Sequence, residues 1–120
     1  MKILIAEDDE MMLKTMEFKL KREGFDVITC ANGEEAITKI ITDNPDVIIT
    51  DIMMPFVTGI DIIRKVKTEL KLNIPIIVLS AVGLEKTVLE AFEVGADDFI
   101  TKPFSPNELI VRVKRLLLKV

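Results

Sequence analysis

Charged and hydroxyl side chains in this sequence gather where short apolar runs end. Ile3 to Ala6 leads into Glu7, Asp8, Asp9 and Glu10; Val47 to Thr50 into Asp51; Ile76 to Leu79 into Ser80; Asp98 to Ile100 into Thr101 and Lys102. If those runs are neighbouring strands, Glu7, Asp8 and Asp51 meet a hydroxyl and an ammonium in one crevice. Carboxylates about 5 Å apart repel by roughly 3 kcal/mol per pair at an effective dielectric near 20. They must therefore share a cation or take up protons. The donors are oxygen only, because the chain has no His and a single Cys, Cys30. Hard cations suit such a set, so Mg²⁺ is expected, with Mn²⁺ as a substitute.

Each of these residues also has an ordinary reading. Acids after a strand favour the positive end of the next helix. Asp51 ahead of Pro55 could be a turn residue, Ser80 a cap, and Lys102 before Pro103 a surface lysine. Packing alone, however, gives no reason for all the required types to fall at successive strand ends.

The elements that would position them are legible from periodicity. β-branched runs at Ile3 to Ala6, Val27 to Cys30, Val47 to Thr50, Ile76 to Leu79 and Asp98 to Ile100 alternate with segments of helical spacing. Leu13, Met16 and Leu20 mark the first helix. Ala36, Ile37, Ile40 and Ile41 form a stripe between Asn32 and Thr42, and Ile62, Ile63, Val66 and Leu70 another after Thr58. Val88, Ala91 and Phe92 mark the fourth helix; Leu109, Ile110, Val113, Leu116 and Leu117 mark the last. Asn32 with Glu35, and Ser105 with Glu108, have the spacing of N-caps, with Pro106 in a tolerated first-turn position. Gly24 and Gly95 are natural helix stops. The runs ILIA, VIIT and IIVL are apolar on both faces, as strands covered by helices on each side must be. The expectation is a doubly wound α/β fold, five βα units around a parallel sheet, in which ligands bind beyond the carboxyl ends of the strands.

Composition narrows the function. The 120 residues fit one domain, 1–120. With 16 basic and 20 acidic residues the net charge is −4, a poor basis for sequence-independent binding to DNA or an anionic membrane. Without His there is no histidine base, ligand or phosphohistidine. One Cys permits no internal disulfide, and no apolar run has the length of a membrane span. A cytoplasmic location is expected.

The sequence resembles the receiver domain of bacterial two-component response regulators. The motifs that carry the likeness are Ile3-Leu4-Ile5-Ala6-Glu7-Asp8-Asp9, Asp51-Ile52-Met53-Met54-Pro55 followed by Gly59, Val78-Leu79-Ser80-Ala81, and Thr101-Lys102-Pro103-Phe104. The stretch Gly95 to Pro106 looks most like the OmpR-type class joined to winged-helix DNA-binding domains. The resemblance implies a CheY-like, flavodoxin-like sheet ordered 2-1-3-4-5. It implies that Asp51 accepts a phosphoryl group from a sensor histidine kinase, and that Mg²⁺ is held by Asp8, Asp51 and the Met53 backbone carbonyl, with Glu7 acting through water. Asp9 would be a bystander at the first helix start. Lys102 would pair with Asp51 and later with a phosphoryl oxygen, and Lys102-Pro103 would be a cis peptide. The switch would be Ser80 turning to the phosphoryl group and Phe99 turning inward, with small Ala81 leaving room. The output surface would be the fourth helix, fifth strand and fifth helix, serving a homodimer or another partner through Asp97, Asp98, Glu108, Arg112 and Arg115. A solvated face explains those charges equally well. Such a domain is a phosphoacceptor rather than an enzyme; beyond self-phosphorylation from a donor, only slow autodephosphorylation is expected.

Some positions depart from the family pattern. Phe99 stands where Tyr is frequent, and Ser80 where Thr is commoner. Met53 and Val82 flank the pocket where some relatives place amide or acid groups that guide water, which leads to an expectation of slow loss of the phosphoryl group. Among other classes, a flavodoxin-like carrier would want a hydroxyl-rich loop and aromatics after the first strand, and a haloacid-dehalogenase-type phosphatase a second acid at Met53. A phosphorylation-independent interaction module, or the excised N-terminal domain of a DNA-binding regulator, stay open as alternatives.

Overall fold

A computed structural model describes residues 1–118. Five parallel strands alternate with helices: β1 Lys2–Ala6, α1 Glu10–Arg22, β2 Asp26–Cys30, α2 Gly33–Asp43, β3 Val47–Asp51, α3 Gly59–Arg64, β4 Ile76–Ala81, α4 Glu85–Glu93, β5 Asp98–Lys102 and α5 Pro106–Leu117. The strand order is β2-β1-β3-β4-β5, so the direction of winding reverses between β1 and β3.

The unbroken apolar runs follow from burial on both faces. Along β1, Ile3 and Ile5 join the layer under α1 and α5, with Leu20, Leu109 and Val113. Leu4 and Ala6 point the other way, to the layer under α2, α3 and α4 with Ile40, Ile62 and Ala91. Ile48 against Ile49, and Ile77 against Val78, alternate in the same sense. A polar residue at any of these sites would be buried in one layer or the other, which is why alternation is absent from the sequence.

The caps hold the helices at the expected places. The Asn32 and Ser105 side chains accept from the Glu35 and Glu108 amides at 2.8 and 3.2 Å, and Asp9 caps α1 by accepting from Met12. Two features add to the expected elements. Thr58 and Asp61 form a reciprocal capping box at the start of α3, and α3 continues as a wider π-helical turn over Lys65–Glu69. The apolar stripes are broader than the buried faces: Ile41 and Phe92 lie on the exposed margins. A side chain at the edge of a stripe keeps helical spacing without reaching the sheet.

Candidate functional site

β3 runs one residue, and β4 and β5 two residues, further than the apolar runs indicate, and this places the polar groups. Asp51 is the last residue of β3. Leu79 of β4 lies opposite it in register, so Ser80 stands one step nearer the mouth. Ser80 in turn pairs with Thr101, and Ala81 with Lys102. Glu7 follows β1 directly, tied by its amide to the Cys30 carbonyl at 3.1 Å.

The result is a small polar centre at the switch point. Lys102 Nζ donates to Glu7 Oε1 and to Asp51 Oδ2, both at 2.9 Å. Glu7 is fully buried, Asp51 and Ser80 nearly so, while Asp8 is exposed at the mouth. The Asp9 amide donates to Glu7 Oε2, and the Met53 amide approaches Asp51 Oδ1 at 3.4 Å. Burial pushes the Glu7 carboxyl up to about 7; the Lys102 bond pulls the other way, and the nearby Asp51 carboxylate pushes it further up. For Lys102, burial opposes the charge, but the Asp51 and Glu7 carboxylates outweigh it and hold the ammonium above its ordinary range. The direct Glu7–Lys102 pair was not read from the sequence, since only the fold brings positions so far apart together.

One oxygen from each of Glu7, Asp8 and Asp51 lies within 4.8 Å of the others. Three crowded carboxylates, one open to solvent, with only oxygen donors, fit a hard divalent cation.

Asp51 is held from behind by its own loop. A Cβ at Gly59 would collide with the Asp51 carbonyl and with Ile52 Cα, so the loop returns this close only with glycine there. The Gly59 amide closes the turn on the Ile52 carbonyl at 3.0 Å. Between them Met53 is exposed and Met54 buried, and Phe56 is fully exposed with φ 67°. The Lys102-Pro103 peptide is cis.

Around the centre, Phe99 of β5 is partly exposed and meets Phe92 edge-on, with centroids 5.9 Å apart. A cavity of about 350 Å³ opens beside it, lined by Ser80, Ala81, Leu84 and Thr101 among others. Val82, like Met53, is exposed at the rim. Of the charges on the expected output surface, Asp98 is buried and bonded to Arg112 and Arg115 at 2.8 Å each, with Glu108 near Arg112. Asp97 faces elsewhere: it accepts from the Ile76 amide and from Lys67.

The chain as a whole is similar to known proteins. The family model for the response regulator receiver domain matches residues 3–114. The chain belongs to the response regulator receiver family. It is 42% identical over 116 residues to the alkaline phosphatase synthesis transcriptional regulatory protein PhoP of Bacillus subtilis, and 41% identical to the transcriptional regulatory protein ResD of the same organism. Those matches cover 97% of this chain and 48% of each relative, so the chain spans about half the length of the curated relatives it matches. Among solved structures, the receiver domain of the Francisella response regulator 1452 is similar with a TM-score of 0.90 and 37% identity, covering 98% of this chain and 97% of that one. Vibrio cholerae chemotaxis protein CheY4 is similar at 0.88 and 30%, covering 95% and 96%.

Receiver domains are signalling domains of two-component systems; they take phosphate from sensor histidine kinases and bind Mg²⁺ at an acidic site. The acidic cluster of this receiver is Glu7, Asp8 and Asp51. Among the described residues, no helix is long and apolar enough to cross a membrane.

Proposed function

We propose that this receiver domain, taken as one unit over 1–120, is a phosphorylation-dependent switch in which Asp51 is the phosphoacceptor. The observation that carries the reading is the Lys102 ammonium shared between Glu7 and Asp51 at 2.9 Å to each. It fixes the Asp51 carboxylate at the open end of the sheet and leaves a cation ready beside any oxyanion placed there. Asp8, Asp51 and the Met53 carbonyl would hold Mg²⁺, with Glu7 acting through water. Once bound, the ion neutralises charge and orients the phosphoryl oxygens. Transfer of this kind is mostly positioning and electrostatics. One Asp51 oxygen bonds to phosphorus as the bond from phosphorus to the donor's imidazole nitrogen breaks, and the imidazole keeps the electron pair. Lys102 then pairs with a phosphoryl oxygen.

The product carries nearly two extra negative charges and new acceptor oxygens. Ser80 turns its hydroxyl toward them, and Phe99 has the neighbouring cavity to enter. That movement would break its edge contact with Phe92 and alter the surface formed by α4, β5 and α5, where a second copy or another partner would bind. Likeness to two proteins named as transcriptional regulators supports a transcriptional output. The acidic balance of these residues assigns any DNA contact to a different segment.

The test is intact mass after incubation with acetyl phosphate, with and without Mg²⁺, on wild type and Asp51→Asn. One added phosphoryl group that requires both Mg²⁺ and Asp51 is expected. An unlabelled wild type, under conditions that label a known receiver, would leave a phosphorylation-independent interaction module.

A further inference from the structure

Gly33 is buried at the first position of α2, on a different element from every residue of the phosphorylation centre. A Cβ built there would stand 2.5 Å from the Val57 carbonyl oxygen, 2.7 Å from Val57 Cγ1 and 2.8 Å from Val57 Cβ. Its φ is not in the left-handed region, so the requirement for glycine is closeness of approach alone. What it approaches is the loop between Asp51 and α3.

That loop has little freedom to absorb a push. Gly59 seals one end against Asp51 and Ile52, Met54 is buried, and Val57 packs on the core under α2 and α3. The Val57 amide donates to the Pro55 carbonyl at 2.8 Å, so Pro55, Phe56 and Val57 move as one tight turn. The same turn lines a cavity of about 270 Å³ together with Ala31, Asn32 and Glu34, and Asp8 also borders it. Displacement at Val57 therefore reaches the acidic centre through the loop toward Met53, and it reshapes the cavity that Asp8 borders.

We propose that Gly33 is a positioning residue for the divalent-cation site: by letting α2 seat directly on Val57, it holds the Met53 segment of the loop in register with Asp8 and Asp51. The inference rests on the Mg²⁺-dependent reading of the centre and extends it to a residue of another helix. Outer groups that orient metal ligands typically change affinity 10- to 100-fold when altered.

Mn²⁺ binding to the full chain, read as loss of the free-ion electron paramagnetic resonance signal, tests this without phosphorylation. Gly33→Ala should bind Mn²⁺ about 10-fold more weakly than wild type. Ala36→Gly is the control, because it weakens the same helix at a buried site without crowding Val57; it should melt earlier and bind Mn²⁺ as wild type does. A folded Gly33→Ala with wild-type affinity overturns the proposal. So does an equal loss in Ala36→Gly, which would assign the effect to helix stability. If Gly33→Ala does not fold, Val57→Gly alone decides: it removes the Val57 Cβ and Cγ1 on which α2 seats, so it should bind Mn²⁺ more weakly than wild type, and wild-type affinity overturns the proposal. A wild type that binds no Mn²⁺ sinks the Mg²⁺-dependent reading itself and this inference with it, an outcome distinct from a difference between variants.

Discussion

At the residue scale, the centre is a balance between burial and pairing. Glu7 and Asp51 are inside the protein because Lys102 bonds both, and each would be costly there alone. Met53 and Val82 guard the mouth with apolar atoms and offer nothing to orient a water. The phosphoryl half-life should therefore shorten several-fold in Met53→Asn and Val82→Glu, followed by intact mass after removal of donor; unchanged lifetimes would place the control of hydrolysis elsewhere. Cys30 shows the opposite use of burial. It sits at the end of β2, and burial, helped by the Glu35 charge, pushes its thiol up to about 12. Unfolded, the thiol titrates near 8.5. The folded protein thus favours the protonated form, a stabilisation complete below the unfolded value and lost as pH rises toward 12. Iodoacetamide at pH 9 should label native Cys30 at least ~100-fold more slowly than the urea-unfolded chain. Equal rates would mean that β2 opens freely at the sheet edge.

At the element scale, the loop between β3 and α3 is tightly constrained. It is pinned by two glycine contacts and a capping box, yet it holds Phe56 fully exposed at φ 67°. A left-handed conformation costs a residue with a Cβ roughly 1–2 kcal/mol, and an exposed ring recovers none of that by packing. Phe56→Gly should raise stability by about 1 kcal/mol net of glycine's extra unfolded-state entropy, or roughly 4 °C in thermal denaturation. A lower melting temperature would mean that the ring packs in solution against its neighbours. The capping box at Thr58 was legible as Thr-x-x-Asp once a helix is placed there. The strain at Phe56 was not, because φ is set by how the loop must return to α3.

At the scale of the whole molecule, the two helix layers put chemistry at the top of the sheet and the proposed output on the side formed by α4, β5 and α5. Asp98, Arg112 and Arg115 are spent on one another inside this chain, and Asp97 bonds Lys67 and the start of β4. If α4, β5 and α5 form a phosphorylation-dependent dimer face, acetyl phosphate with Mg²⁺ should raise the sedimentation coefficient of wild type. Arg115→Glu, which replaces a half-exposed cation with a like charge near Asp98, should abolish the shift. A monomer under both conditions would point to a different kind of partner.

The sequence by itself determined the five βα units, their two-sided burial and the acids, hydroxyl and lysine at the strand ends. Those follow from periodicity and from the place where apolar runs stop, both local properties. Its four motifs also carried the family. Only the tertiary structure decided that Lys102 bonds Glu7 as well as Asp51, that Asp98 is clasped by Arg112 and Arg115 of the same chain, and that Gly33 lies against Val57. The first two join residues apart in the chain at 2.8 to 2.9 Å, and the third is an approach too close for any Cβ. Such contacts depend on the register of neighbouring strands and the seating of helices on them, which no spacing in the sequence encodes.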